Sequence, residues 1–263
     1  MERKWKRGGE PLDERIDLAP YRVPYYVEKY ATERCRPEHL FESERRFLPR
    51  VLSPGARVLD VGCACGGFYD ILTTLESTVE YMGVDISDAL IERARKLRPD
   101  AGFAVLDGTR LSFDDGSFDL VQCWGVTLHE PDYRTLLAEC WRVSRSIVLF
   151  DVRLKTGGAE VVDKKTAFVL NPGGERNFYI VSPARALVED LLGLVPSPAR
   201  IELFSYEGTA NRFTTLPPDF GQLYMTGVAL FKRNKESPTT TELKLDVPEP
   251  LLAVMRRKPL SSG

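Results

Sequence analysis

Residues 58–68 read VLDVGCACGGF: an apolar run interrupted by Asp60, then Gly62, Ala64, Gly66 and Gly67 in close succession. A short apolar run that stops at glycine reads as a buried strand. Small residues packed this tightly let a backbone come close to something. Helical spacing resumes at 67–76, so the stretch predicts a strand, a tight loop and a helix.

The same unit repeats downstream. Residues 79–85, 102–107, 118–124 and 146–151 read as further strands. Between them, 87–97 reads as a helix capped by Ser87, and 131–143 as a helix with Pro131 at its start. Five strands alternating with helices predict an α/β fold, a mostly parallel, doubly wound sheet with helices on both faces. After residue 151 the pattern changes. An irregular insert occupies 155–182, a helix with Ser182 as cap and Pro183 at its first position spans 182–194, and 199–207 and 223–233 read as two more strands. This places the main domain at 51–233. The tail, 234–263, is rich in Pro, Ser and Thr and is expected at the surface or without order. Residues 1–50 lack a strand but hold amphipathic helical pieces and the tyrosines Tyr21, Tyr25, Tyr26 and Tyr30, which suits a lid over a site.

Composition narrows the classes of function. A net charge of −2 over 263 residues gives no electrostatic reason for a nucleic-acid partner. No apolar run approaches the length needed to cross a bilayer, and the basic start lacks the apolar segment of a secretory signal. The expected location is the cytoplasm. Five cysteines, an odd number in a long chain, argue against a disulfide framework, and Cys63-x-Cys65 with only two histidines argues against a metal site.

In such a sheet, ligands lie beyond the carboxyl ends of the strands. The loop 62–67 offers backbone amides there. Asp85 ends the second strand, where a carboxylate accepts hydrogen bonds from a ribose diol. Asp107 ends the third, placed to accept from an exocyclic amine, while Ile86 and Leu106 supply apolar walls for a base. These strand ends describe an adenosine pocket. Gly62-x-Ala64-x-x-Gly67 comes close to a dinucleotide fingerprint, but Asp60 beside it gains nothing from a pyrophosphate and does gain from a cation. The adenosine-bearing cofactor with positive groups is S-adenosylmethionine.

The stretches VLDVGCACGG, GVDIS and LDGTRLSFDDGSFDLVQCWGVTLHEPD, with the helix leading to SIVLFD, resemble the class I S-adenosylmethionine-dependent methyltransferases over about residues 55–151. The resemblance implies a seven-stranded, Rossmann-like sheet with the last strand reversed. It implies that Asp60, Gly62, Cys63, Ala64 and Gly67 serve the methionine part, Asp85 the ribose, and Asp107 with Gly108 the adenine. Ala64 departs from the family's usual glycine, and a short Ser-Arg-Ser link replaces its Lys-Pro-Gly-Gly turn.

Methyl transfer from a sulfonium needs alignment and water exclusion, and a base only where the acceptor holds a proton. His129, after the fourth strand, is the candidate base. Cys123 and Trp124 end that strand beside the expected methyl position. Arg176 and Asn177 in the insert are weaker candidates for meeting substrate. Glu130 and Asp132 read as first-turn acids of the following helix. The expected acceptor is a small molecule carrying oxygen: a sugar, quinone, natural-product or lipid intermediate. Two other readings stay open here, a nicotinamide-dependent oxidoreductase and a non-catalytic S-adenosylmethionine-binding protein.

Overall fold

The run Arg57–Val61 is strand β1, and its last four residues are all buried, as its unbroken apolar character requires. The computed structural model describes residues 24–171 and 174–256. Before β1 come two helices, α1 (Pro24–Thr32) and α2 (Glu42–Val51). After it, α3 (Gly67–Leu75), β2 (Glu80–Asp85), α4 (Asp88–Leu97), β3 (Gly102–Val105), β4 (Phe118–Cys123), α5 (Tyr133–Val143) and β5 (Ser144–Lys155) alternate as expected. Strand β5 runs past the expected 146–151 at both ends.

Beyond β5 lie β6 (Phe168–Leu170), β7 (Arg176–Phe178), β8 (Ser182–Pro183), α6 (Ala184–Leu192), β9 (Arg200–Gly208), β10 (Thr214–Thr215), β11 (Leu223–Phe231), β12 (Glu242–Asp246) and α7 (Glu249–Met255). The main sheet runs β12-β9-β11-β5-β4-β1-β2-β3, with β8 also paired to β5. Strands β1 to β5 pair in parallel, and β11 lies antiparallel to both β5 and β9. The mostly parallel sheet and the reversed seventh long strand are thus present. The count is nine rather than seven, because β8 and β12 add to it.

Side chains alternate across each strand, so one sheet feeds two cores. On one face Phe47, Leu48, Ile71, Leu72, Ile91 and Ala94 from α2, α3 and α4 meet Val58, Leu120 and Leu149. On the other, Leu136, Trp141, Leu187, Leu191, Leu251 and Met255 from α5, α6 and α7 meet Leu59, Val121 and Val148.

Three expectations need correction. The tail is not featureless: the alternation in Glu242–Asp246 forms β12, parallel to β9, and Leu251 of α7 is fully buried. Ser182 does not cap α6; Pro183 occupies that position, and the Ser182 hydroxyl donates to Glu160 at 2.7 Å. The insert is ordered into a three-stranded sheet, β10-β6-β7. Ser87 does cap α4, accepting the Leu90 amide at 3.4 Å. Tyr21 and Tyr25 lie outside the residues whose side chains are described.

Candidate active site

The loop after β1 is shaped by what its glycines avoid. Gly62 and Gly66 have φ of +78° and +79°, where a side chain is strained. A Cβ on Gly62 would sit 2.2 Å from Val126 Cγ2, and one on Gly67 would sit 2.5 Å from the Arg34 carbonyl oxygen. The close approach announced by the sequence is therefore first of all an approach to other parts of the chain. Ala64 is the exception, a non-glycine residue at φ +48°.

Asp85 ties this loop to β2. Its Oδ2 accepts the Ala64 amide and its Oδ1 the Ser87 amide, each at 2.9 Å. Burial pushes its carboxyl above the usual range, against three amides that favour the charge. Asp60 is level with Gly83 on β2 and Gln122 on β4. Its Oδ2 accepts the Tyr81 hydroxyl at 2.7 Å, and burial lifts its pKa to about 6. At the end of β3, Asp107 Oδ1 accepts both the amide and the hydroxyl of Thr109 at 2.9 Å. It is a turn aspartate as well as a wall of the site.

These groups share one cavity of about 350 Å³. Asp60, Gly62, Cys63, Ala64, Gly67, Asp85, Ile86, Asp107, Gly108, Trp124 and His129 all line it. Cys123 does not. It falls on the opposite face of β4 from Trp124, buried in the core beneath α5. The expectation for Cys123 is corrected by strand alternation alone. Arg176 and Asn177 also lie elsewhere: Arg176 stacks 4.2 Å from the Phe168 ring centroid, and Asn177 is buried.

His129 is held by the insert. Its Nδ1 lies 2.6 Å from the Phe178 carbonyl, so that nitrogen carries the proton and Nε2 keeps its lone pair. Burial lowers its pKa, which leaves a neutral ring at pH 7. Glu130 also lines the cavity, and its Oε1 accepts the Asp132 amide at 2.8 Å.

The wall has a part the sequence did not announce. Tyr30, Glu33, Arg34 and Phe41, all before β1, complete it. Arg34 pairs with the buried Glu44 and lies over the Phe41 and Phe68 rings at 4.3 and 5.0 Å. Tyr26 of α1 donates to Asn171 Oδ1 of the insert at 2.7 Å, joining the N-terminal helix to the insert. Only the tyrosines gave a signal for this; nothing in the spacing of Glu33 or Arg34 points to a pocket.

Acidic groups raised by burial and facing one cavity fit a ligand that brings positive charge. Residues 59–148 match the family described as methyltransferase domain. A 97-residue stretch is 43% identical to 2-methyl-6-phytyl-1,4-hydroquinone methyltransferase of Synechocystis, covering 35% of this chain and 30% of that protein. Another, of 144 residues, is 30% identical to phosphoethanolamine N-methyltransferase 1 of Arabidopsis thaliana, covering 53% and 27%. The chain thus spans under a third of the length of these relatives. The fold is shared with phosphoethanolamine N-methyltransferase 2 of Haemonchus contortus, solved with S-adenosyl-L-methionine, at TM-score 0.57, 15% identity, and coverage of 81% of this chain and 58% of that one. Residues 59–148 thus carry a methyltransferase domain, and the sheet around them has the fold of an S-adenosylmethionine-dependent methyltransferase.

Proposed function

We propose that this protein moves the methyl group of S-adenosylmethionine to an oxygen of a small-molecule acceptor by in-line displacement, with His129 as the base. The observation that carries the reading is the convergence of Asp60, Asp85 and Asp107 from three strand tips on one cavity, with Trp124 and His129 on its wall. When bound, S-adenosylmethionine supplies an activated methyl group on a sulfonium.

The chain's own residues do the rest. Asp60 offers a carboxylate to the cationic part, and Asp85 keeps lone pairs for the ribose beyond those taken by the loop amides. Asp107, Gly108, Ile86 and Leu106 frame the base. Trp124 closes the apolar wall, helping exclude water from a site where alignment does most of the work. His129, neutral and with Nε2 bare, suits removal of a proton from a hydroxyl. Helices α1 and α2 act as the lid. The relatives' acceptors, a hydroquinone and phosphoethanolamine, support a small molecule over a macromolecule. Among the described residues no helix is long and apolar enough to cross a membrane. We place the protein in the cytoplasm, in keeping with five free thiols.

The test has two arms. S-adenosylhomocysteine should raise the melting temperature and reduced nicotinamide dinucleotide should not; the reverse result ends the reading. Radiolabelled methyl transfer to a prenylated hydroquinone, with the label recovered as an aryl methyl ether and the rate lost in His129→Asn, supports the oxygen acceptor; label on a ring carbon overturns it. Transfer to phosphoethanolamine alone, unaffected by His129→Asn, overturns it.

A further inference from the structure

The loop after β4 carries Trp124, Gly125 and Val126 of the cavity wall and runs on to His129. It is fixed from the neighbouring strand. Asp151 Oδ1 accepts the Gly125 amide at 2.6 Å, and the Thr127 hydroxyl donates to the Asp151 carbonyl. Arg153 Nη1 donates to Asp151 Oδ2 at 2.8 Å. The two side chains are only 9% and 11% exposed.

The fold does not call for this pair. Cys123, the last residue of β4, is level with Phe150, so Asp151 and Arg153 lie past that strand's tip, at the end of the sheet where the site is. Two residues apart on one strand, they share the face that carries buried Leu149. A buried ion pair is often no more stabilising than apolar residues of the same size. Tyr179 lies near enough to Arg153 to favour its charge. Tyr179 directly follows Phe178, whose carbonyl holds the His129 ring. One short stretch of the insert thus acts on both the ring and the arginine.

We propose that Asp151 and Arg153 are positioning residues for the acceptor step: Asp151 clamps the Gly125–His129 loop, and the pair's opposite charges set the field at the His129 ring. This rests on the reading of His129 as the base. The groups that act on the ring are the Phe178 carbonyl from β7 and Asp151 and Arg153 from β5; Glu130, next in the chain, has its Oε1 taken by the Asp132 amide. Of the two charges, Arg153 disfavours the protonated ring and Asp151 favours it.

The chain has two histidines, so His39→Gln leaves His129 as the single ring to follow by NMR. In that background Asp151→Asn should lower the titration midpoint of His129 and Arg153→Met should raise it, each by roughly half a pH unit. Hydrogen exchange at the Gly125 amide should quicken about tenfold in Asp151→Asn, as a charge-assisted bond is lost. The Ala64 amide, and calorimetric binding of S-adenosylhomocysteine, should stay within about twofold, because the donor half does not depend on the clamp. Midpoints that move together or stay still, or an unchanged Gly125 amide, overturn the proposal. Should Asp151→Asn fail to fold, Arg153→Met alone decides through the direction of its shift. Full methyl transfer to the hydroquinone by His129→Asn removes the base reading, while the Gly125 exchange rate still reports on the clamp.

Discussion

The two sides of the cavity are built differently. The side we assign to the donor comes from strand tips and the turns after them, between Asp60 and Thr109. Its key bonds are short in sequence or link adjacent strands: Asp85 to Ala64 and Ser87, Asp107 to Thr109, Asp60 to Tyr81. The side we assign to the acceptor is assembled from distant parts. Arg34 meets Glu44 and Phe68, Tyr26 meets Asn171, and His129 meets Phe178. A donor common to many reactions can be held by a compact local device. An acceptor peculiar to one reaction is met by pieces that vary around it.

The comparison breaks most directly at Asp85. Asp85→Ala removes the proposed ribose ligand and also frees the Ala64 and Ser87 amides, each a charge-assisted bond. Binding of S-adenosylhomocysteine, measured by calorimetry, should weaken by about a hundredfold or more. A change under threefold would mean that the donor side is not anchored there.

Gly67 is where the two sides touch. A Cβ there would press on the Arg34 carbonyl, a backbone atom that cannot swing aside. Gly67→Ala should cost roughly 1–3 kcal/mol in urea unfolding and weaken donor binding with it, since Tyr30 and Arg34 move away together. Loss of stability with donor affinity intact would show that the N-terminal cover does not serve the donor.

Asp60 sharpens the contrast through pH. Its pKa in the folded protein is about 6, raised by burial from 3.8. The folded state therefore holds this proton more tightly than the unfolded one, and the ligand-free protein loses stability as pH rises from about 4 to about 6. A cation needs the ionised form, so donor binding should strengthen over the same climb and level off above about 7. Below about 6, affinity should fall by up to about tenfold per pH unit. A melting-temperature series with and without S-adenosylhomocysteine at pH 5, 6 and 7.5 reads both trends. A ligand-induced rise that is flat with pH would remove Asp60 from contact with the ammonium group.

The same contrast explains what the sequence showed. VLDVGCACGG and the acids at 85 and 107 lie in unbroken local patterns, so the strand, loop and helix order and the residues lining that side of the cavity could be read directly. Cys123 was misplaced because proximity to a strand tip does not say which face a side chain takes, and Trp124, one residue on, takes the other. Tyr81 and Gln122, which bracket Asp60, and Glu33 and Arg34, which close the wall, become neighbours only through sheet register and helix packing. The alternation Glu-Leu-Lys-Leu-Asp at 242–246 was there to be read as a strand, and the abundance of Pro, Ser and Thr around it hid the signal.

The smallest effect belongs to Ala64, and it separates two residues of the same loop that share a positive φ. Removing the Ala64 methyl relieves about 1–2 kcal/mol of left-handed strain. Against this stand up to about 0.8 kcal/mol of lost burial and about 0.4–1 kcal/mol from a freer unfolded chain. Ala64→Gly should therefore change unfolding free energy by less than about 1.6 kcal/mol. Gly62→Ala meets the same strain without relief, and its new methyl would collide with Val126 at 2.2 Å. It should cost at least about 2 kcal/mol and disturb the loop that leads to His129. Urea unfolding of the two variants side by side decides the matter. Changes of equal size and opposite sign would mean that backbone conformation alone governs this loop; the expected gap means that it is set by what packs on it, Val126 above all.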